Sequence, residues 1–319
     1  MKVVIPGGSG QVGTILARAF VAGRHDVLVL SRSPGPAPWR VVGWDAETIG
    51  EWAREIDGAD VVVNLAGRSV NCRYHARNRA EIMDSRVRST LVVGRAIEQA
   101  KSPPKVWLQA GTATIYAHRY DAPNDEATGI LGGDEPNAPD AWRFSIDVAK
   151  AWEAAAEEIP TPRTRKVLLR SAMTMSPDRG GVFDVMLGLV RFGLGGTNGD
   201  GRQYLSWIHD LDFINAVYWL IDHDELSGPV NLASPHPLPN AEFMCVLREA
   251  WGTNIGLPSM KWMLEIGAFF LRTETELVLK SRRVIPTRLL QSGFEFAFPH
   301  WPDAAADLCR RWKEARNAA

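Results

Sequence analysis

Along the chain, short apolar runs alternate with longer stretches in which apolar residues recur at helical spacing. Met1 to Ile5, Val27 to Leu30, Arg40 to Trp44, Val61 to Val63, Val106 to Gln109, Lys166 to Arg170 and Val230 to Leu232 read as strands, being short and rich in β-branched residues. Thr14 to Gly23, Ala76 to Ala100, Ala141 to Glu158, Leu211 to Asp222 and Ala241 to Trp251 read as amphipathic helices. Strand and helix in steady alternation predict an α/β fold of the Rossmann type, a doubly wound parallel sheet. Two stretches break the rhythm: 117–140, rich in Pro, Gly, Asn and Asp, and 176–203, which holds eight glycines. Ligands bind beyond the carboxyl ends of the strands in such sheets, so both stretches are expected to roof a cleft. The division that follows is a cofactor-binding domain over 1–176, joined through about 204–233, and a smaller, mostly helical substrate-side domain from 177–203 and 234–319. Within the latter, Gly293 to Phe298 reads as a short strand, and Trp262 to Leu279 as a buried or partner-facing helix too charged to span a bilayer.

The turn after the first strand, Pro6-Gly-Gly-Ser-Gly-Gln-Val-Gly13, carries the chemistry. Glycines at 7, 10 and 13 between an apolar strand and an amphipathic helix allow a sharp turn and bring bare amides close to a pyrophosphate, which then rests on a helix N-terminus. Gly7, Gly10, Gln11, Val12 and Gly13 are therefore assigned to a dinucleotide. Which dinucleotide follows from the end of the second strand, where an acid would take the ribose diol of NAD. Ser31 and Arg32 stand there instead and suit a 2′-phosphate, so the expected cofactor is NADP. Asp26 precedes that strand and belongs to the opposite edge of the sheet. Asn64-Leu65-Ala66-Gly67, at the end of a later strand, offers small residues beneath the cofactor.

Composition narrows the function. The 319 residues carry a net charge of -1, with no basic excess to draw nucleic acid or anionic membrane. Cys72, Cys245 and Cys309 are scattered without metal spacing, so neither a metal site nor a disulfide framework is expected. A reduced, cytoplasmic setting is expected, since no basic stretch and long apolar run open the chain as in an ordinary signal peptide. The partners expected are a small-molecule substrate and at most a second copy of the chain, as a monomer or homodimer.

With Ser85-Arg-Val87, Trp152-Glu-Ala-Ala155, Gly199 to His209, Leu226 to Asn231, Asn240 to Phe243 and Val284 to Arg288, the sequence resembles the extended short-chain dehydrogenase/reductases, and among them the epimerase-like YfcH group, over nearly its whole length. The resemblance implies that Glu81 and Arg86 lie near the adenosine end of NADP, and that the strand after Lys166 presents Arg170 to Thr174 toward the cofactor and substrate, with Thr174 a cofactor contact. Arg68, Arg73 and Tyr74 follow the Ala66-Gly67 turn and read either as receivers of an anionic substrate or as residues of a variable surface loop.

Hydride chemistry in that superfamily uses a Tyr acidified by a Lys four residues later, with a Ser or Thr polarising the substrate oxygen. None of the five tyrosines here has a lysine at that spacing. Aligned through Trp152-Glu153, Phe144 takes the tyrosine position and Val148 the lysine position. Lys150, about 200° further round the helix, faces elsewhere. Thr112, in Thr112-Ala-Thr-Ile-Tyr116, falls at the catalytic serine. Tyr116 is the nearest phenol, a candidate donor and equally a packing aromatic. His209, in Trp207-Ile-His209, reads better as a buried histidine bonded to a neighbouring loop than as an acid or base. Two functions fit: an epimerase-like NADP-dependent oxidoreductase acting on a small polar or nucleotide-linked substrate without the Tyr-Lys pair, or an NADP-binding sensor that has lost catalysis.

Overall fold

A computed structural model describes residues 1–136, 138–258 and 280–317. Seven parallel strands form its sheet: β1 (Lys2–Pro6), β2 (Asp26–Ser31), β3 (Arg40–Gly43), β4 (Val61–Asn64), β5 (Val106–Thr112), β6 (Arg165–Ser171) and β10 (Gly228–Leu232), in the order β10-β6-β5-β4-β1-β2-β3. The strand order reverses between β1 and β4, which opens a crevice at their carboxyl ends. Alternation along each strand splits the core. Val3, Ile5, Val27, Val29, Val61 and Val63 face α1 (Gln11–Ala22) and α5 (Asp210–Asp222), where Leu16, Phe20, Phe213 and Val217 are buried. Val4, Leu28, Leu30 and Val62 face the other side and meet Val92, Val93 and Ile97 of α2 (Ala76–Gln99) and Ala156 of α3 (Asp140–Glu158). Each such side chain contributes about 1.5–3 kcal/mol by leaving water.

A separate apolar cluster lies beyond the sheet. It gathers Met175 of β7 (Met173–Met175), Phe183, Leu187 and Val190 of α4 (Val182–Arg191), Trp207 of β9 (Trp207–His209), Phe243 and Leu247 of α6 (Asn240–Trp251), and Trp301, Leu308 and Trp312 of the C-terminal helix Trp301–Asn317. Phe243 and Trp301 stack at 3.9 Å between ring centroids. Two details differ from the sequence reading. Helix α4 lies inside the glycine-rich stretch 176–203, and Gly293 to Phe298 forms no strand. The alternation in Phe294-Glu-Phe-Ala-Phe298 imitates a strand, but the Asp212 carboxylate accepts the Ala297 and Phe298 amides at 2.7 and 3.0 Å in place of a ladder. The expected helix over Trp262 to Leu279 lies outside the described residues.

His209 is fully buried and caps α5: its Nδ1 accepts from the Leu211 amide at 3.2 Å, which places the ring proton on Nε2, 3.1 Å from Asp307 Oδ2. Its ring stacks on Phe298, so it fastens α5 to the C-terminal helix and takes no part in a cleft. Burial lowers its pKa, with Arg311 adding to this and Asp210, Asp307 and Asp212 opposing. A neutral histidine in the fold that binds a proton at about pH 6.5 when unfolded stabilises the fold fully above that pH and progressively less below it. Stability should therefore fall between pH 7.5 and 5.5, by at most about 1.4 kcal/mol per pH unit for this group, and the melting temperature with it. His209→Gln should flatten that fall. Parallel pH profiles for the two proteins would count against the assignment.

Candidate cofactor site

At the reversal of strand order a cleft of about 610 Å³ opens, within the range of small-molecule sites. Its floor is the glycine turn. Gly7 has φ +72°, and a Cβ there would stand 2.5 Å from the Ala66 Cα, so only a bare backbone lets β1 and β4 approach this closely. A Cβ on Gly13 would overlap the Gly8 backbone, so the first turn of α1 can sit tight against the strand only without one. Helix α1 starts at Gly10 with no side-chain cap and no acid in its first turn, which leaves its amides directed at the cleft. Gln11 and Val12 are half-buried in that turn, and the Gln11 Nε2 is a buried donor without a partner.

At the end of β2, Ser9, Ser31, Arg32 and Ser33 line one wall. Ser31, 3% exposed, donates its hydroxyl to Ser9 Oγ at 3.3 Å and accepts the Ser33 amide at 3.2 Å, which holds the three hydroxyl-bearing residues together. Asp26 begins β2, at the far edge of the sheet. The opposite wall is Leu65, Ala66, Gly67 and Arg68 with Glu81, Asp84, Ser85 and Arg88 of α2, and Trp44 to Glu47 close the end. The charges in these walls largely cancel. Glu81 is bound by Arg68 and Arg77, which hold its carboxyl below the usual range, and Arg88 pairs with Glu47 and Asp84. Asp45 is spent on the turn it caps, accepting the Glu47 and Thr48 amides at 2.9 Å. Arg32 is exposed and has no ion pair among the described residues.

Arg86 lies behind Gly67 and outside the cleft wall. Its Nη1 donates to the Arg68 and Ile82 carbonyls at 3.0 and 3.1 Å, and its guanidinium stands over the Trp152 ring at 4.9 Å. Burial without a carboxylate brings its pKa down to about 10. Thr174 is buried in β7 beside Ile208 of β9 and does not line this cleft.

Phe144 and Val148, which the resemblance sets at the relay positions, lie in an apolar cluster. Phe144 packs edge-on against Tyr74 at 5.2 Å, and buried Val148 belongs to the same cluster as Tyr74 and Ile82. Lys150 faces the 117–140 stretch: a Cβ on Gly133 would lie 3.2 Å from its Nζ. Arg68 and Tyr74 are fastened to the start of α2, the Arg68 amide donating to Ser85 Oγ at 2.9 Å and the Tyr74 carbonyl accepting from Arg79 Nε at 2.7 Å. Thr112 ends β5, half-buried, with its Oγ1 accepting the Thr114 amide at 3.2 Å, so the hydroxyl proton stays available. Tyr116 does not suit the role of proton donor: it is 2% exposed, its hydroxyl donates to Asn231 Oδ1 at 3.0 Å and accepts from Arg170 Nη1 at 2.9 Å, and burial raises its pKa. Arg88, which reads from sequence as a solvated arginine of an amphipathic helix, and Trp44 to Glu47 line the cleft although neither follows a spacing rule.

Among the described residues no group of three or more His, Cys, Asp or Glu could hold a metal, and no helix is long and apolar enough to cross a membrane.

A parallel sheet with a glycine turn at its switch point and a helical cluster beyond its carboxyl ends defines a dinucleotide-binding protein of the extended short-chain dehydrogenase/reductase class. Residues 3–139 match the NAD dependent epimerase/dehydratase family, and residues 261–308 match a domain of unknown function, DUF1731. The chain is 32% identical over 311 residues to the human epimerase family protein SDR39U1, covering 97% of this chain and 99% of that one. It is 27% identical to Bacillus subtilis YfhF over 313 residues, 97% and 98% of the two chains. The crystal structure of human SDR39U1 (isoform 2) with NADPH superposes with a TM-score of 0.85 at 30% identity, over 97% and 99% of the chains. The UDP-N-acetylglucosamine 4-epimerase of Bacillus cereus shares the fold, with a TM-score of 0.74 at 15% identity over 98% and 99%. The chain belongs to the epimerase family of extended short-chain dehydrogenase/reductases.

Proposed function

We propose that this protein is an NADP-dependent, epimerase-like oxidoreductase acting on a small polar or nucleotide-linked substrate. The observation that carries the reading is the wall of Ser9, Ser31, Arg32 and Ser33, with Arg32, which has no ion pair among the described residues, where an acid would select NAD. The rest of the cleft fits the same cofactor: an uncapped α1 N-terminus, the orphaned Gln11 Nε2 and a turn that tolerates no Cβ at 7 or 13. Likeness to a relative crystallised with NADPH supports it.

NADP, when bound, supplies the hydride donor or acceptor. Thr112 would donate its free hydroxyl proton as a hydrogen bond to the substrate oxygen and hold it in place. Phe144 and Val148 exclude water from the adjoining wall and can neither give nor take a proton, so the proton of a reduction comes from solvent or from the substrate. A second reading, an NADP-binding sensor without turnover, draws on that same apolar wall.

Titration calorimetry with NADPH and NADH tests the cofactor assignment. Arg32→Ala should weaken NADPH by about 1.5–3 kcal/mol, the worth of one hydrogen bond to a charged group, and leave NADH nearly unchanged. Equal losses for the two nucleotides would refute the 2′-phosphate role.

A further inference from the structure

A nicotinamide dinucleotide brings a diphosphate as well as its 2′-phosphate, and the cleft walls hold no spare cation for it. Arg68 is taken by Glu81, Arg88 by Glu47 and Asp84, and Arg32 stands at the adenosine end. Helix amides and the Gln11 side chain supply hydrogen bonds there but no full charge.

The turn between β7 and α4 lies against α1, beside the start of that helix. Asp178 pairs with Arg18 on α1, and Arg18 lies seven residues, two helical turns, beyond Gln11 on the same face. Gly181 meets the Gln11 side chain so closely that a Cβ there would overlap the Gln11 Nε2, the buried donor that has no partner. The turn is anchored from behind by the C-terminal helix: Trp312 Nε1 and Arg316 Nη2 both donate to Asp184 Oδ1 at 2.7 Å, and the Gly180 amide donates to Asp184 Oδ2 at 2.9 Å. In sequence, between Asp178, which pairs with Arg18, and Gly181, which meets Gln11, is Arg179, exposed and without an ion pair among the described residues. The acid its field reaches, Asp184, is already engaged by Trp312 and Arg316.

We propose that the Asp178–Gly181 turn is the second wall of the cofactor's diphosphate site, with Arg179 as its counter-charge, so that the dinucleotide is held jointly by the glycine turn of the sheet domain and a turn carried by the helical cluster. This rests on the NADP reading above and adds a residue that the glycine-turn pattern does not include. It also explains why glycine occupies 181: a bare backbone lets this turn lie against Gln11.

Calorimetric titration of the full chain with NADPH and NADH decides it. Arg179→Ala should raise Kd about tenfold or more for both nucleotides, as one charge-assisted hydrogen bond would, and Arg179→Glu should raise it further. The loss should be common to both, unlike that of Arg32→Ala, because NADPH and NADH share the diphosphate. Arg179 is exposed, so melting temperatures without cofactor should match wild type and show that the loss is not one of folding. Wild-type affinity for both nucleotides in both variants would overturn the proposal while leaving the cofactor reading intact. A loss confined to NADPH would overturn it too, by moving Arg179 to the 2′-phosphate. Absence of NADPH binding by the wild-type chain would remove the cofactor reading and the proposal together.

Discussion

Glu153→Ala is expected to destabilise this protein by about 3–5 kcal/mol, the cost of leaving a buried cation without its counter-ion. Arg170 of β6 is 6% exposed, and its Nε and Nη2 donate to the two oxygens of Glu153 on α3 at 2.8 Å each. Burial lowers the guanidinium's pKa, and the Glu153 carboxylate, with Tyr116, more than offsets it. The third donor, Nη1, goes to the Tyr116 hydroxyl, which donates to Asn231 of β10, whose Nδ2 in turn reaches the Ile285 carbonyl at 2.9 Å. One fork thereby joins a helix, two strands and the loop after β5. Removing the carboxylate strands the guanidinium and loosens the chain behind it. Tyr116→Phe keeps the ring and should cost less, about 1–3 kcal/mol, because two polar partners lose one hydroxyl. Thermal unfolding monitored by circular dichroism would show the first variant melting roughly 4–8 °C below wild type. A Glu153→Ala protein that melts with wild type would mean that water reaches and solvates Arg170.

That network shows where a single sequence stops being informative. Its members stand 17, 54 and 115 residues apart, so no periodicity connects Tyr116 to a partner, and a phenol in a Ser-Ala-Thr-Val-Tyr-like segment reads as easily for chemistry as for packing. The sheet was legible for the opposite reason: its strands are short β-branched runs between helical patterns, and the nearest-neighbour rules that shape them are local. The place of the glycine turn and Ser31-Arg32 in the cleft was legible because close backbone approach demands bare glycines at fixed spacing from the strand ends. Helix α4 escaped because Phe183, Leu187 and Val190 are buried while Val185 and Leu189 are exposed apolar residues, which erases the polar face that marks a surface helix, and glycines on both sides punctuate it as loop. Arg179 and Asp178 were hidden in that same stretch. Their meaning depends on which helix the turn lands on, a long-range fact. His209 was legible in kind, as a buried histidine, although its partner Asp307 lies 98 residues away.

Gly7→Ala should be the most damaging change at the cofactor site, and damaging even without cofactor. The residue sits at φ +72°, where a side chain costs about 1–2 kcal/mol by itself, and the new methyl would meet backbone atoms of Leu65 and Ala66 at 2.5–2.9 Å. Backbone cannot swing aside as a side-chain tip can, so β1 and β4 must part at the switch point that forms the cleft. The expected result is a lower melting temperature of the cofactor-free protein together with at least a hundredfold loss of NADPH affinity, about 2.7 kcal/mol. Gly10→Ala separates the two effects. A Cβ at 10 meets only the Gly7 carbonyl oxygen, at 4.0 Å, in an ordinary extended backbone, so the fold should be undisturbed. The same methyl projects where the diphosphate must approach the α1 amides, so NADPH affinity should fall while the melting temperature holds. If Gly10→Ala bound NADPH as wild type does, the diphosphate would not lie against this helix start. If Gly7→Ala melted normally, β1 and β4 would have room to spare at Ala66.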